Sequence, residues 1–211
     1  MLTLRLDDRL GQLVLTTPPG MSERRLRAFL NDQSDWIDAR LSEVAERPRV
    51  HCGGQILWCG QPHTLVFDAS APRRVVVAGG RVTVGGPCEM APARLEAHMR
   101  KVARSHFTAL AQEAADALGT RFSRLGIGDM KSRWASCSCS AGLKFSFRLM
   151  MAPSDVQQYV AVHEVAHLLE MNHSPRFWAH VERVIPNWKP RRNWLKTHGR
   201  QLQQMQFAPA E

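Results

Sequence analysis

The feature that most constrains this chain is residues 163–167, which read His-Glu-Val-Ala-His. Residues four apart share one face of an α-helix, so the imidazoles of His163 and His167 can reach the same metal ion. Glu164 is rotated about 100° from His163 around the helix, and its carboxylate can reach a metal-bound water without ligating the metal. The pattern has only three fixed positions, and a surface helix with two solvated histidines would also satisfy it.

The residues around this pattern favour a metal site over a solvated helix. Residues 160–169 are apolar except for the pattern itself, so the histidines take positions where a buried helix places aliphatic side chains. Burying an imidazole without a partner costs free energy. A metal ion would supply that partner.

A third histidine, His173, follows His167 by six residues. On an unbroken helix its side chain would point away from His167, so we expect the helix to end near Met171 and Asn172. Asn172 tolerates the left-handed conformation that such a reversal needs. The Ser-Pro pair at residues 174–175 then predicts a new helix, with an N-cap serine and a first-turn proline.

Three neutral imidazoles leave one position of a tetrahedral zinc ion open for water, which is the arrangement of catalytic zinc sites. We therefore predict one zinc ion per chain, held by His163, His167 and His173, with Glu164 as the catalytic general base. If His173 is not a ligand, Glu170 and His180 are the next candidates.

Several stretches together carry a family resemblance. They are Lys-Ser-Arg-Trp-Ala-Ser-Cys-Ser at 131–138, Leu-Lys-Phe at 143–145, the pattern at 163–167, and Asn-His-Ser-Pro-Arg-Phe-Trp at 172–178. The chain resembles the YgjP-like metallopeptidases, bacterial zincins related to the SprT-like and WLM peptidases, most densely over about 120–200. The resemblance implies a zinc-peptidase fold, the same three histidine ligands and catalytic base, and a peptide or protein substrate.

The ligand spacing also equals that of the metzincins, but two features argue against membership of that group. Glu170 stands where metzincins have a turn glycine, and no methionine turn follows His173. We therefore place the turn a residue or two later, at Asn172.

Two regions outside the histidine pattern are candidates for substrate binding. Trp134 and Ser136 lie on a predicted strand that could pair with an extended substrate backbone; the alternative is a core strand with Trp134 packed under the helix. Arg191 and Arg192 belong to a basic run over 189–200 that contains no acid. Such a run could contact substrate carboxylates or nucleic-acid phosphates, or it could simply be a solvated helix face.

The chain is basic, with 28 Lys and Arg against 19 Asp and Glu and a formal charge of +9, which favours polyanions as partners. It contains no helix-turn-helix, zinc-finger or RNA-binding signature. An alternative function is therefore a nucleic-acid-associated module with a structural zinc and no sequence preference, or a protease that acts on DNA-bound proteins. Glu164 separates these readings, because a purely structural zinc site has no need for that carboxylate.

The remaining pattern predicts an α+β protein. Residues 1–90 are expected to form a small β-rich scaffold, and residues 91–211 a zincin-like domain with the active-site helix and antiparallel strands. The predicted elements are strands at 2–6 and 12–16, one helix after an N-cap at Ser22, strands within 55–84 with a hairpin at Gly79-Gly80, a helix over 92–118 that stops at Gly119, strands near 130–137 and 143–149, and a helix with a capping box from Ser154 to Gln157.

The cysteines and the first residues bear on localisation. Five cysteines with irregular spacing argue against a disulfide framework and fit a reducing cytoplasm. Residues 1–9 contain no continuous apolar run, so we expect neither a signal peptide nor a membrane anchor there.

Overall fold

The structure, a computed structural model, describes residues 2–7, 12–45, 47–130 and 132–207. The described residues form three β-sheets and six α-helices, which gives the predicted α+β class. Two compact units are present, Met1–Arg49 and Val50–Glu211. The expected division between residues 90 and 91 falls inside the second unit and stays a prediction. Lys131, part of the family resemblance, lies outside the described residues.

The first unit is a β-hairpin followed by two helices. Strands β1 (Thr3–Asp7) and β2 (Gln12–Thr16) pair in antiparallel fashion, as predicted. The single helix expected after Ser22 is wrong, because the helix breaks at Gln33 into α1 (Glu23–Asp32) and α2 (Ser34–Ala45). The Gln33 backbone N–H turns back to the Leu30 carbonyl at 3.2 Å and closes α1 without a glycine or proline to mark the end.

The second unit begins with a four-stranded sheet in the order β3-β4-β6-β5. Its strands are β3 (Gln55–Trp58), β4 (Gln61–Asp68), β5 (Val75–Ala78) and β6 (Arg81–Gly85). The predicted hairpin between β5 and β6 is confirmed: Gly79 and Gly80 take φ angles of +56° and +70°, which favour glycine.

Helix α3 (Ala91–Leu118) is the predicted long helix, and it ends at Gly119 with φ +69°. Its buried face carries Phe107, whose ring stacks on Phe145 at a centroid distance of 4.8 Å. Phe145 belongs to the next sheet. This stacked pair therefore fixes that sheet on α3.

The third sheet has the order β7-β9-β8. Strand β7 (Arg124–Gly128) was not predicted, whereas β8 (Ala135–Cys137) and β9 (Gly142–Ser146) correspond to the two predicted strands. Strands β8 and β9 are antiparallel, and β7 adds to β9 in parallel. Strand β8 is therefore an edge strand.

Three helices complete the second unit: α4 (Ser154–Ala166), α5 (Pro175–Val184) and α6 (Lys189–Gln204). The predicted capping box at the start of α4 is wrong. Pro153 takes the N-cap position and Ser154 makes no capping hydrogen bond. The buried Gln157 side chain instead donates to the Ala152 carbonyl at 2.7 Å. None of the helices in the described ranges is long and apolar enough to span a bilayer.

Arg148, in the short 3₁₀ turn at Phe147–Met151, ties the end of α6 to the end of β7. Its guanidinium binds both carboxylate oxygens of Asp129, with Nε to Oδ1 at 2.6 Å and Nη2 to Oδ2 at 3.1 Å. Nη1 donates to the carbonyls of Leu202 (3.1 Å) and Met205 (2.7 Å). This one side chain thus connects segments that lie far apart in the sequence.

Candidate metal centre and cleft

Three imidazoles converge beside the last turn of α4. His163 and Glu164 lie in the helix, His167 occupies its C-cap, and His173 lies in the loop before α5. One ligand atom from each histidine lies within 4.8 Å of the other two. The Nε2 atoms of His163 and His173 are 3.2 Å apart. Within the described ranges this is the group of side chains suited to a metal ion, and His180 is not part of it.

The chain reverses between His167 and His173 by a different route from the predicted one. Helix α4 ends at Ala166, earlier than the predicted end near 171–172. Tight turns follow, in which the Glu170 N–H donates to the Ala166 carbonyl at 3.1 Å. The earlier end brings His173 back toward the helix.

Asn172 assists this reversal through its side chain. Its Oδ1 accepts the Ser174 N–H at 2.8 Å. The expected left-handed backbone is wrong, since Cys59 and Ala141 are the non-glycine residues with positive φ in the described part of the chain. Ser174 Oγ then accepts the Phe177 N–H at 3.4 Å, the N-cap predicted for α5.

The hydrogen bond of His167 determines which of its nitrogens faces the other histidines. Nδ1 lies 3.1 Å from the Glu170 carbonyl oxygen, which can only accept, so Nδ1 carries the hydrogen. Nε2 therefore keeps its lone pair. Such a bond to the far nitrogen orients metal-binding histidines in general.

Burial keeps two of the histidines neutral. It lowers the pKa of His163 to about 3, and the charges of His167, His173 and Arg192 act in the same direction. Burial also lowers the pKa of His167. Neutral imidazole is the form that binds metal ions.

The donor set fits a tetrahedral metal ion. Nitrogen ligands bind zinc at about 2.0–2.1 Å, which places two of them roughly 3.3–3.4 Å apart in a tetrahedron. The Nε2 atoms of His163 and His173 are 3.2 Å apart, close to that separation.

Aromatic rings hold the imidazoles in place. The fully buried Phe177 ring packs against His163 at 4.9 Å and His167 at 4.4 Å. Trp178 lies nearly parallel to the exposed His173 ring at 5.8 Å. Behind it, Trp178 stacks on Trp188 at 4.1 Å. His173 is therefore supported by a column of rings although it lies on a loop.

Glu164 is buried beside the histidines, with 7% of its surface exposed. Burial raises the pKa of its carboxyl to about 7, and the charge of Arg133 and a hydrogen bond from the Cys137 backbone oppose that rise. Cys137 belongs to β8, so the edge of the third sheet reaches the carboxylate.

The hydrogen-bond pattern of β8 shows which of its backbone groups face the open edge. The Trp134 carbonyl accepts from the Ser146 N–H, and the Ser138 N–H donates to the Gly142 carbonyl. Alternate residues of an antiparallel strand bond to the same neighbour, so the backbone groups of Ala135 and Cys137 point away from β9. The Cys137 N–H on this open edge is the backbone donor that lowers the pKa of Glu164.

A cleft of about 370 Å³ opens onto this site. The cleft is lined by three segments: β8 with the residues before it, helix α4, and helix α6. His163 and Glu164 are among the α4 residues. The lining residues are Arg133, Trp134 and Ala135 from the first segment, Tyr159, Val160, His163 and Glu164 from α4, and Arg192, Leu195 and Lys196 from α6.

The four predicted substrate-binding residues fall in different places. Trp134 and Arg192 line the cleft. Ser136 lines a separate groove of about 330 Å³ on the third sheet. Arg191 pairs with the Asp155 carboxylate at 3.4 Å and lies outside the cleft lining. Sequence reasoning did not single out Trp188, since a lone tryptophan carries no signal of what it stacks on.

Comparison with known proteins gives one family match and two structural neighbours. The family model described as YgjP-like, metallopeptidase domain, matches residues 2–198. The chain is similar to the metallopeptidase zymogen abylysin of Pyrococcus abyssi, with 26% identity, a TM-score of 0.41, and coverage of 43% of this chain and 92% of that one. It is also similar to the zymogen jannalysin of Methanocaldococcus jannaschii, with 19% identity, a TM-score of 0.38, and coverage of 44% and 95%. No curated protein matches the chain.

Proposed function

Because the chain belongs to the YgjP-like metallopeptidase family and is therefore a peptide hydrolase, we propose that it works with one zinc ion held by His163, His167 and His173 and with Glu164 as general base. The observation that carries this proposal is the convergence of three imidazoles around one point beside a buried carboxylate. The cleft above them is open to a substrate.

The chemistry divides between the metal and the protein. Zinc, when bound, makes a water molecule more acidic and polarises the substrate carbonyl. Glu164 accepts the proton of the attacking water and returns it to the leaving amine. Burial raises the pKa of its carboxyl to about 7 without a metal ion, and a bound dication would lower it and so favour the carboxylate that accepts the proton. The Cys137 N–H stabilises the carboxylate form of this side chain.

An extended peptide would bind along the edge of β8. The N–H and C=O of Ala135 face the cleft side of this strand and can pair with a substrate backbone. Main-chain pairing gives affinity with little dependence on substrate sequence. Trp134, beside Ala135, would then form part of the wall against which substrate side chains lie.

The alternative of a zinc that only stabilises the fold is less well supported by the site. A structural zinc site is closed by four protein ligands. Here the described residues offer three histidines, and Glu164 lies next to them in an open cleft. Association with nucleic acid, or action on DNA-bound proteins, stays a prediction from the basic charge.

The test is Glu164→Gln, which keeps the size of the side chain and removes its proton-accepting group. Zinc content should be unchanged, because this side chain is not a proposed ligand. Cleavage of a proteome-derived peptide library should fall by about 10²–10⁴. Zinc is measured by atomic spectroscopy, and cleavage by mass spectrometry of the peptides.

Glu170→Gln is the matched control. It removes a nearby carboxylate whose residue serves His167 only through its backbone carbonyl, so both zinc and cleavage should persist. Wild-type cleavage by the zinc-loaded Glu164→Gln protein would exclude Glu164 as the base. A wild-type protein that cleaves nothing in the library would favour the structural-zinc alternative.

A further inference from the structure

We propose that the cleft selects peptides carrying a carboxylate close to the scissile bond, with Arg192 as the residue that binds it. This inference rests on the proposed peptidase function. It adds a substrate class and a specificity-determining residue to it.

The charges that line the cleft are unbalanced. Arg133, Arg192 and Lys196 contribute three cations, whereas Glu164, which has the role of general base, is the one lining acid. None of the three cations has an ion-pair partner among residues 2–7, 12–45, 47–130 and 132–207. An anionic group that enters the cleft would therefore meet positive charge from both the β8 segment and α6.

Arg192 is held in place before any ligand binds. Its guanidinium carbon lies 5.1 Å from the centre of the Trp178 ring and 5.9 Å from that of Trp188. These contacts with two aromatic rings hold the side chain without using its N–H donors. Within the described part of the chain, the side chain of Arg192 makes no hydrogen bond. These donors match a carboxylate, which accepts two parallel N–H bonds.

The position of Arg192 relates this carboxylate to the reaction site. The same Trp178 ring contacts His173 on the loop and the Arg192 guanidinium from α6. Arg192 and the third proposed ligand, His173, therefore contact the same ring. Arg192 also lines the cleft together with His163 and Glu164. The bound carboxylate would belong to a residue near the cleaved bond, either as an acidic side chain or as the C-terminus of the peptide.

The preceding residue provides a natural contrast. Arg191 has the same charge and lies on the same helix, but it pairs with Asp155 and donates to the Asn187 carbonyl. Its charge is already compensated outside the cleft. Arg191→Gln is therefore a matched control for Arg192→Gln.

The experiment compares two pairs of peptides with the zinc-loaded protein. In the first pair, glutamate beside the cleaved bond is replaced by glutamine; in the second, the free C-terminus is replaced by an amide. The wild-type kcat/KM should be about tenfold higher for the carboxylate in at least one pair, and the pair that responds identifies its source. Arg192→Gln should abolish this preference at unchanged zinc content, and Arg191→Gln should retain it.

A binding measurement separates failure of this inference from failure of the proposed function. Zinc-loaded Glu164→Gln protein is titrated with the same peptides, and binding is followed by tryptophan fluorescence. Tighter, Arg192-dependent binding of the carboxylate peptides supports the inference even if the wild type cleaves nothing. Equal kcat/KM and equal affinity within both pairs would overturn it. Binding of a DNA duplex that requires Arg192, without any peptide preference, would also overturn it and assign the cleft to phosphate.

Discussion

Replacing Arg148 by methionine should cost the second unit much of its stability. The substitution keeps an unbranched side chain as far as the position of Nε but removes four hydrogen bonds, two to the Asp129 carboxylate and two to backbone carbonyls at the end of α6. Removing one partner of a buried ion pair costs about 3–5 kcal/mol. The side chains of Arg148 and Asp129 keep 11% and 19% of their surface exposed, so we expect about 3 kcal/mol. That is a large share of the roughly 5–15 kcal/mol that stabilises a typical domain.

Urea unfolding followed by circular dichroism measures this loss, and Arg100→Met is the control in the same unit. Arg100 pairs with Glu96 one turn away on α3, where both side chains are partly exposed, and its guanidinium carbon lies 4.5 Å from the centre of the Phe147 ring, so its removal should cost about 1–2 kcal/mol. The double variant Arg148→Met with Asp129→Asn should recover part of the loss, because the carboxylate is then no longer buried without its guanidinium. A loss below about 1 kcal/mol in Arg148→Met would refute the reasoning.

Four further predictions concern the site and its surroundings. His173→Ala should strip most of the zinc; full retention, read by atomic spectroscopy, would exclude His173 as a ligand. In Gly199→Ala the new Cβ would lie 2.9 Å from Cζ2 of Trp134, so the indole must move. We expect a shifted tryptophan fluorescence spectrum and a free energy of unfolding lower by about 1 kcal/mol. An unchanged spectrum would argue against that contact. Burial raises the pKa of the Cys137 thiol to about 11, so its alkylation by iodoacetamide should be slow at pH 8 and should accelerate as the pH approaches 11. Peptide mass spectrometry measures the alkylation, and rapid labelling at pH 8 would contradict this prediction. Binding to DNA, where it is detected by fluorescence anisotropy, should weaken steeply with increasing salt concentration and show little sequence preference. A salt-insensitive, sequence-selective complex would be inconsistent with phosphate contacts alone.

The spacing of residues 163–167 predicted that the side chains of His163 and His167 lie on the same side of the chain, because four residues along a helix return to the same face. The reversal before His173 was predictable only in part. That a turn must intervene follows from the six-residue spacing, but where the helix ends depends on competing hydrogen bonds. Asn172 could cap the turn through its backbone or its side chain, and the sequence does not distinguish the two.

Strand β7 escaped prediction because Gly126 and Gly128 lower the strand propensity of its segment. Tertiary packing explains why glycine occupies these two positions. Gly126 lies opposite Lys144 on β9, and a Cβ on Gly128 would come within 2.7 Å of Lys144 Cε. The long side chain thus crosses β7 where a larger residue would obstruct it, a reason visible only once the register is known.

The different environments of Arg191 and Arg192 could not be read from the sequence either. Both belong to the same acid-free basic run. A helix turns by about 100° between neighbouring residues, so the two side chains point in different directions. Only the packing of α6 decides that one meets Asp155 and the other Trp178.

The three imidazoles all fall between residues 163 and 173, whereas the sheet that positions Glu164 comes from an earlier part of the chain. Closing so short a segment costs little entropy, so the proposed ligand set can assemble without the sheet. The proposed catalytic geometry has no such independence, because it needs the Cys137 N–H and the edge of β8. Zinc binding and peptide hydrolysis should therefore be lost independently of each other. Protein in which the third sheet is disrupted could still bind one zinc ion per chain and have no activity.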